Sequence, residues 1–306
     1  MAVDNILRTY TDASRKTSVV LKAVEILTAT ETQIFNMLGK SNAINTVHSY
    51  QTDTLRTADG STVAEGGDYA MSANSTPVKL TNVTNIIAIP FAVTRTQQAI
   101  QHWQGDNELT RQTSKALKDW ANNAEFNLVR STLTSGASGT APTMSGIIEA
   151  TSKSTNHTSH TSGTVFSATI LNSLMADNYD NGNGDVATDL FMGSKLRKVT
   201  DSFITKTNVQ SNVGLRAIVN TVSTYETAFG TLALHTHRYV QQAGDSTGRV
   251  LAIRPDKLKI AMLEAPYIDN DLARGGPYDK KAVVGQHTLE VHNPDSNFYS
   301  DGFSIA

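Results

Sequence analysis

TADGSTVAEGGDYAMSANSTP occupies residues 57–77, between VHSYQTDTLR at 47–56 and KLTNVTNIIAIPFAVTR at 79–95. Alternating apolar and polar positions predict a strand in each flanking segment. The segment between them contains three glycines and many small polar residues, with too few apolar groups to form a core of its own. We therefore expect a long hairpin whose polar tip finds its contacts on a neighbouring chain.

The second strand of this hairpin shows period-two patterning. One face is predicted to carry Val83, Ile87, Ile89, Phe91 and Val93. Pro90 interrupts the run and has no N–H to donate, so this strand is expected at a sheet edge or a bend.

A long helix is predicted for residues 106–135. Asp106 is expected to cap its start and Gly136 to end it. A helix of about 30 residues would be ~45 Å long, well beyond the average of about 11 residues, and would span a thin, wide subunit. Apolar residues recur mostly at three- and four-residue steps, and those expected to pack against the subunit are Leu109, Leu117, Trp120 and Leu128.

The remaining segments predict a mixed α+β fold. A short helix is expected near residues 31–38 of the opening segment. Residues 140–225 suggest a compact α+β subdomain, and the later sequence is mostly β. The elements predicted there are strands at 145–150, 187–192, 218–225, 230–240, 250–253, 258–263 and 288–291, helices at 167–179 and 194–204, and a loop at 266–277.

Composition limits the classes of function. The 306-residue chain has a net charge of −2, so it lacks a general electrostatic attraction to nucleic acid. It has no cysteine, which excludes disulfides and thiol chemistry. No apolar run approaches the ~20 residues that span a bilayer, and the first residues lack a secretory pattern. We therefore expect a protein made in a cytoplasm, with no membrane partner.

Candidate chemical sites are weak. His235 and His237 flank Thr236 on a predicted strand, so their rings could share a face and bind zinc, but no third ligand is evident. Residues 177–185 imitate a calcium loop, but Tyr179 stands at the third position, which needs an oxygen ligand, and Thr188 at the twelfth, which needs a bidentate glutamate. A helix-to-strand turn is therefore favoured. Nucleophile-elbow, phosphate-loop and dinucleotide motifs are absent. We expect no catalytic residues, no metal and no cofactor.

The order of elements resembles the tailed-bacteriophage major capsid proteins, which have the HK97-like fold. Short stretches strengthen the resemblance: ETQIF at 31–35, NTVH at 45–48, NAEF at 123–126, MSGI at 144–147, DLARGG at 271–276 and GQHTLEVHN at 285–293. Gln286 departs from the glutamate expected there, and the Arg-Gly-Gly run departs from the more usual Lys-Thr-Gly.

The resemblance implies a division of the chain into named parts. Residues 1–45 would be the N-terminal arm, 46–97 the extended loop (E-loop), and 98–139 the part of the peripheral (P) domain with the spine helix. Residues 140–225 would form the axial (A) domain, and 226–306 mostly the P-domain as a closing β-sheet. The E-loop would contact adjacent subunits through Tyr50, Leu55, Tyr69, Met71 and Lys79.

The resemblance also implies a function and partners. The protein would self-assemble as pentamers and hexamers into an icosahedral shell around double-stranded DNA, bound without sequence specificity. A separate scaffolding protein is expected because the chain starts almost directly with the arm, together with a portal and a possible decoration protein. Two alternatives remain at this point: the shell protein of an encapsulin-type nanocompartment, and a polar metal-binding enzyme.

Overall fold

The computed structural model describes residues 32–56, 58, 60, 62–69, 74–100, 107–182, 184–203, 224–242, 244–270, 272–273 and 275–305. Its helices are α1 (Gln33–Met37), α2 (Arg95–Ala99), α3 (Glu108–Arg130), α4 (Ile147–Ser152), α5 (Ala168–Asn181) and α6 (Ser194–Asp201). Its strands are β1 (Gly39–Asn42), β2 (Val47–Thr52), β3 (Val78–Val83), β4 (Asn85–Thr94), β5 (His157–Thr164), β6 (Asp189–Met192), β7 (Thr224–Thr227), β8 (Gly230–Thr236), β9 (Gly248–Ile253), β10 (Leu258–Asp269), β11 (Tyr278–Val291) and β12 (Phe298–Phe303).

The strands form three sheets. A four-stranded sheet has the order β1-β10-β11-β4, and a six-stranded sheet has the order β5-β12-β9-β6-β8-β7. The antiparallel pair β2-β3 stands apart as a two-stranded hairpin. Helices and sheets are mixed along the chain, which agrees with the predicted α+β class.

The predicted strand at 79–95 is two strands. β3 pairs with β2 in the hairpin, whereas β4 pairs with β11 in the four-stranded sheet. The chain changes sheets at Thr84, which lies between them. Ile87 and Val93 are buried, and the residues between them alternate in burial as predicted. Because β4 is the outermost strand, Pro90 lies at a sheet edge, where a missing N–H is tolerated.

The long helix is confirmed but is shorter than predicted. α3 has 23 residues, and the Asn107 side chain caps it by accepting a hydrogen bond from the Leu109 N–H at 2.9 Å. It ends at Arg130 because the next residue, Ser131, is extended and accepts a hydrogen bond from the Gly146 N–H at 2.9 Å. Gly136, with φ of +77°, therefore lies in a later turn. Asp106 lies outside the described residues.

The buried face of α3 follows a strict four-residue step through Ala116, Trp120, Ala124 and Leu128. Trp120 and Leu128 are therefore buried, and Leu109 is half-buried. The prediction for Leu117 is not met within the subunit, because its side chain is 42% exposed. One residue beyond Ala116 is a rotation of about 100°, which turns Leu117 away from the sheet.

Among the residues that the structure describes, buried apolar side chains make three clusters. One joins α1, α3, α4 and both larger sheets, with Leu128, Ile260 and Leu289 among its members. A second lies between α5, α6 and the six-stranded sheet. A third is small and packs Trp120 against Ile87 and Val283, on the α3 side of the four-stranded sheet.

Several local predictions differ from the structure. Residues 145–150 were expected to be a strand, but α4 begins there after Gly146. β5 lies in a Ser/Thr-rich stretch without an apolar pattern, and β12 was not predicted. The loop expected at 266–277 begins later because β10 continues to Asp269, and β11 is much longer than 288–291. Residues 218–223 lie outside the described residues.

The late sequence also does not form a single closing sheet. β8, β9 and β12 pair with β5 and β6, whereas β10 and β11 pair with β1 and β4. Strands from 226–306 therefore contribute to both larger sheets.

Candidate assembly site

The hairpin is regular at its base and polar toward its tip. Its six paired positions run from Val47 opposite Val83 to Thr52 opposite Val78. Beyond the strands, the Ser75 hydroxyl lies 2.9 Å from Asp53 Oδ1 and 2.7 Å from the Thr54 carbonyl oxygen, so the two limbs stay close together. Six residues per strand correspond to a projection of roughly 20 Å.

Large apolar side chains on the hairpin are exposed. Leu55 is 98% exposed and Tyr69 is 81% exposed. Lys79 is also exposed, on β3. Met71, the fourth residue predicted to contact a neighbour, lies outside the described residues. These exposed side chains on a projecting element are available for burial against a neighbouring subunit.

Tyr50, the remaining residue predicted to contact a neighbour, forms a hydrogen bond within its own subunit. Its hydroxyl oxygen accepts a hydrogen bond from the Val291 N–H at 3.1 Å. Burial raises the pKa of Tyr50, although that backbone hydrogen bond opposes the rise. Tyr50 therefore anchors the hairpin base and is not displayed as Leu55 and Tyr69 are.

Glu290 of β11 lies under the same base. Its Oε1 accepts a hydrogen bond from the Ser41 hydroxyl at 2.6 Å and lies 2.7 Å from His48 Nε2, while its Oε2 lies 3.1 Å from His292 Nε2. The Nε2–H groups of His48 and His292 are the donors, because an ionised carboxylate can only accept hydrogen bonds. Burial opposes ionisation, but the three hydrogen bonds outweigh it and hold the pKa of Glu290 below its ordinary value.

The other strand of the hairpin is held by Asn82, which is buried. Its Nδ2 donates to the carbonyl oxygens of Leu289, at 2.8 Å, and Ser145, at 3.2 Å. Its Oδ1 accepts from the Ser145 N–H at 2.9 Å. Both strands of the hairpin are thus fixed to the subunit by polar side chains at their base.

A second buried carboxylate holds the segment that precedes the hairpin. Glu125 of α3 accepts hydrogen bonds from the N–H groups of Ile34 and Phe35, each at 2.8 Å. Its Oε1 also lies 2.9 Å from His237 Nε2, and both side chains are fully buried. These N–H groups belong to the first turn of α1, which has no side-chain cap of its own. Glu125 supplies that cap.

His235 and His237, the pair considered for zinc, each bond a different carboxylate. His235 Nε2 lies 2.9 Å from Asp189 Oδ1, whereas His237 bonds Glu125. Across the described ranges, no group of three or more His, Asp or Glu side chains is arranged to hold a metal ion. Within the same ranges, no helix combines the length and apolar character that crossing a membrane requires.

Sequence reasoning did not single out these anchoring residues. Glu125, Glu290 and His292 occur inside stretches that carry the capsid resemblance, but their roles depend on partners far away in the chain. Glu125 bonds Ile34 across 91 positions, and Glu290 bonds His48 across 242. The one local signal was an ionisable residue on an otherwise apolar helix face, beside Ala124 and Leu128.

A long helix packed on a four-stranded sheet, a second six-stranded sheet and a projecting hairpin together define an HK97-like capsid subunit. Residues 8–301 match the model of the SU10 major capsid protein family, and the chain belongs to that family. It is a structural protein that assembles into an oligomeric shell as part of the virion, and it is not an enzyme.

Solved structures with the same fold share little sequence with this chain. The capsid of Myoviridae phage XM1 has a TM-score of 0.62 at 8% identity, covering 98% of this chain and 100% of that one. The Mycobacterium phage Bobi structure has a TM-score of 0.65 at 9% identity, covering 94% of this chain and 96% of that one. The holo-SrpI encapsulin complex from Synechococcus elongatus PCC 7942 has a TM-score of 0.63 at 9% identity, covering 98% of this chain and 97% of that one. A search of curated proteins found no match.

Proposed function

We propose that the β2-β3 hairpin and its tip form the E-loop, which lies across an adjacent subunit of the shell. The single observation that carries this proposal is the exposure of Leu55 and Tyr69 on the projecting hairpin. Burying one such side chain contributes about 1.5–3 kcal/mol. Each subunit makes several contacts of this size, and their combination stabilises a closed shell far more than any one contact.

The sheets suggest how the chain divides into capsid domains. We assign α3 and the four-stranded sheet to the P-domain and the six-stranded sheet to the A-domain. The N-terminal arm then keeps residues 1–45 except β1, and the E-loop keeps 46–97 except β4, because both of these strands pair in the four-stranded sheet. Because β8, β9 and β12 pair with β5 and β6, the A-domain of this proposal includes part of 226–306 in addition to 140–225.

The proposed partners follow from the shell. Subunits form pentamers and hexamers, assembly takes place in the host cytoplasm, and the partners are a separate scaffolding protein, a portal and an optional decoration protein. The enclosed double-stranded DNA is held without sequence specificity. A net charge of −2 supports this, because a nearly neutral subunit does not bind DNA strongly and leaves packaged DNA mobile.

Substitutions at the hairpin test the proposal. The full-length chain, purified at increasing concentration, is examined by negative-stain microscopy and sedimentation velocity. Wild-type protein is expected to form closed shells. The double variant Leu55→Asp with Tyr69→Ser is expected to remain as small oligomers with unchanged circular dichroism, because both side chains are exposed in the subunit. Leu55→Met is the matched control, since it keeps an apolar side chain of similar size.

Normal shells from the double variant would show that the hairpin tip is not an assembly contact. The contents of particles purified from their natural source separate the phage capsid from an encapsulin-type compartment, which has the same fold. Double-stranded DNA inside the particles supports the proposal, and folded protein cargo without DNA contradicts it.

A further inference from the structure

The connection between the hairpin and the rest of the subunit is narrow. The chain enters β2 through residues 43–46 and leaves β3 through Thr84. At this junction, the Thr84 N–H donates to the Thr46 carbonyl oxygen at 2.8 Å. A two-stranded sheet joined to its domain by two short connections can pivot about them. The angle of the hairpin therefore depends on side chains that bridge the junction.

Glu290 provides the bridge on the β2 side. Its carboxylate joins Ser41 of β1, His48 of β2 and His292, which follows β11. The side chains of His48 and Glu290 are 13% and 8% exposed, so these hydrogen bonds are shielded from water. Hydrogen bonds to an ionised acceptor are roughly twice as strong as neutral ones.

Ring contacts limit rotation at the same place. Tyr50 lies two residues after His48, on the same face of β2. The two rings stack at 6.2 Å between centroids, and Tyr50 meets His292 edge-on at 5.5 Å. The face of β2 that turns toward the subunit is thus packed against the end of β11, next to the Glu290 carboxylate.

We propose that Glu290 is a positioning residue that sets the angle at which the hairpin leaves the subunit. Asn82 holds the base of β3 together with Thr288, whose hydroxyl donates to the Val83 carbonyl oxygen at 2.9 Å. Glu290, helped by the Tyr50 hydroxyl, prevents the hairpin from pivoting about that base. The base then acts as a stiff lever that presents Leu55 and Tyr69 to the neighbour. The link from hairpin angle to shell geometry rests on the proposed function, whereas the fixed angle is a property of the single subunit.

The angle can be measured directly because the chain has no cysteine. Spin labels are attached at Gln51→Cys on β2 and Lys115→Cys on α3, both exposed positions. Pulsed electron resonance on the dilute, unassembled full-length chain then gives the distribution of distances between them. We expect a narrow distribution for the parent and at least a twofold broader one for Glu290→Gln, which loses the charge and one acceptor oxygen.

Glu264→Gln is the matched control, since Glu264 lies on β10 of the same sheet and bonds Gln286 at 3.0 Å, away from the hairpin. Its distribution is expected to equal that of the parent. If Glu290→Gln does not fold, His292→Ala and Ser41→Ala each remove one donor and leave the carboxylate, and each is expected to broaden the distribution by a smaller amount. Unchanged distributions in the variants that fold overturn the proposal.

Assembly provides a second, separable readout. Glu290→Gln is expected to give particles of mixed diameter, whereas Glu264→Gln particles stay uniform. Uniform particles from Glu290→Gln despite a broadened hairpin would disprove the link to shell geometry. Failure of the wild-type chain to form shells would refute the proposed function and leave the distance measurement valid.

Discussion

Removal of the Glu125 carboxylate is expected to detach α1 from the spine helix α3. Glu125 accepts hydrogen bonds from the N–H groups of Ile34 and Phe35 and pairs with His237. Alanine at this position leaves two first-turn N–H groups and one buried imidazole without their acceptor. Neither α1, which lacks a side-chain cap, nor the apolar surroundings of Leu38 and Leu128 supply a replacement.

The expected loss of stability follows from the three groups that lose their acceptor. Each buried polar group left unpaired costs about 1–3 kcal/mol, and breaking a buried pair by removing one member costs about 3–5 kcal/mol. Local opening of α1 relieves part of the sum, because it lets water reach the freed N–H groups. We therefore expect Glu125→Ala to lower the free energy of unfolding by about 3–5 kcal/mol. Glu125→Gln, which keeps one acceptor oxygen, is expected to cost about half as much.

Two measurements on the unassembled chain test this expectation. Urea unfolding gives the free energy, and hydrogen exchange gives the protection of amides 34–38. Faster exchange is expected there, with little change in β6 and β9 of the six-stranded sheet. Glu108→Ala on the same helix is the control, since Glu108 pairs with the exposed Arg111 and such pairs contribute less than about 1 kcal/mol. Unchanged protection of amides 34–38 in Glu125→Ala would falsify the capping role.

Two further predictions concern the small core around Trp120. Burial lowers the pKa of His287 to about 4. The stability that the neutral His287 contributes is therefore fully present above pH 6.5, the ordinary pKa of histidine, and is lost as the pH falls toward 4. This loss corresponds to roughly 3 kcal/mol of the free energy of unfolding. In urea titrations at pH 7, 6 and 5, His287→Leu should remove that part of the pH dependence. An unchanged dependence of the unfolding free energy on pH would contradict the role given to His287. Gly285→Ala would place a Cβ 2.6 Å from Trp120 Cζ2, and overpacking of this kind costs about 1–3 kcal/mol. Thermal unfolding should show this cost for Gly285→Ala and almost none for Gly244→Ala, whose added Cβ meets nothing within 4 Å.

Elements with strong local periodicity could be predicted from the sequence. α3 has its four-residue apolar step, α5 has Ser167 at its N-cap, and β4 has clean alternation, so each is determined largely by its own residues. Their ends were less accurate because tertiary contacts decide them. Ser131 stops α3 by accepting a hydrogen bond from Gly146, a partner that the helix sequence does not reveal.

Elements formed by pairing were missed for a physical reason. β5 reads His-Thr-Ser-His-Thr-Ser-Gly-Thr and has no apolar face, so its strand character comes from its parallel pairing with β12. Likewise, α4 contains two adjacent isoleucines that favour a strand, yet the packing of Ile147 against Leu128 and Leu289 in one core accommodates a helix. Pattern reasoning captured the class of fold but not the membership of the two larger sheets.

The two buried carboxylates explain how the subunit can display apolar side chains without losing order. A projecting element is usually fixed by burying its apolar residues at home, which leaves fewer of them for a partner. Here charge-assisted hydrogen bonds hold the projecting hairpin, because Glu290 fixes its base, while Glu125 caps α1 in the segment that precedes it. Leu55 and Tyr69 consequently remain exposed on a lever with a defined direction. Since an ordered contact surface loses less conformational entropy on binding, this arrangement favours assembly through many modest interfaces.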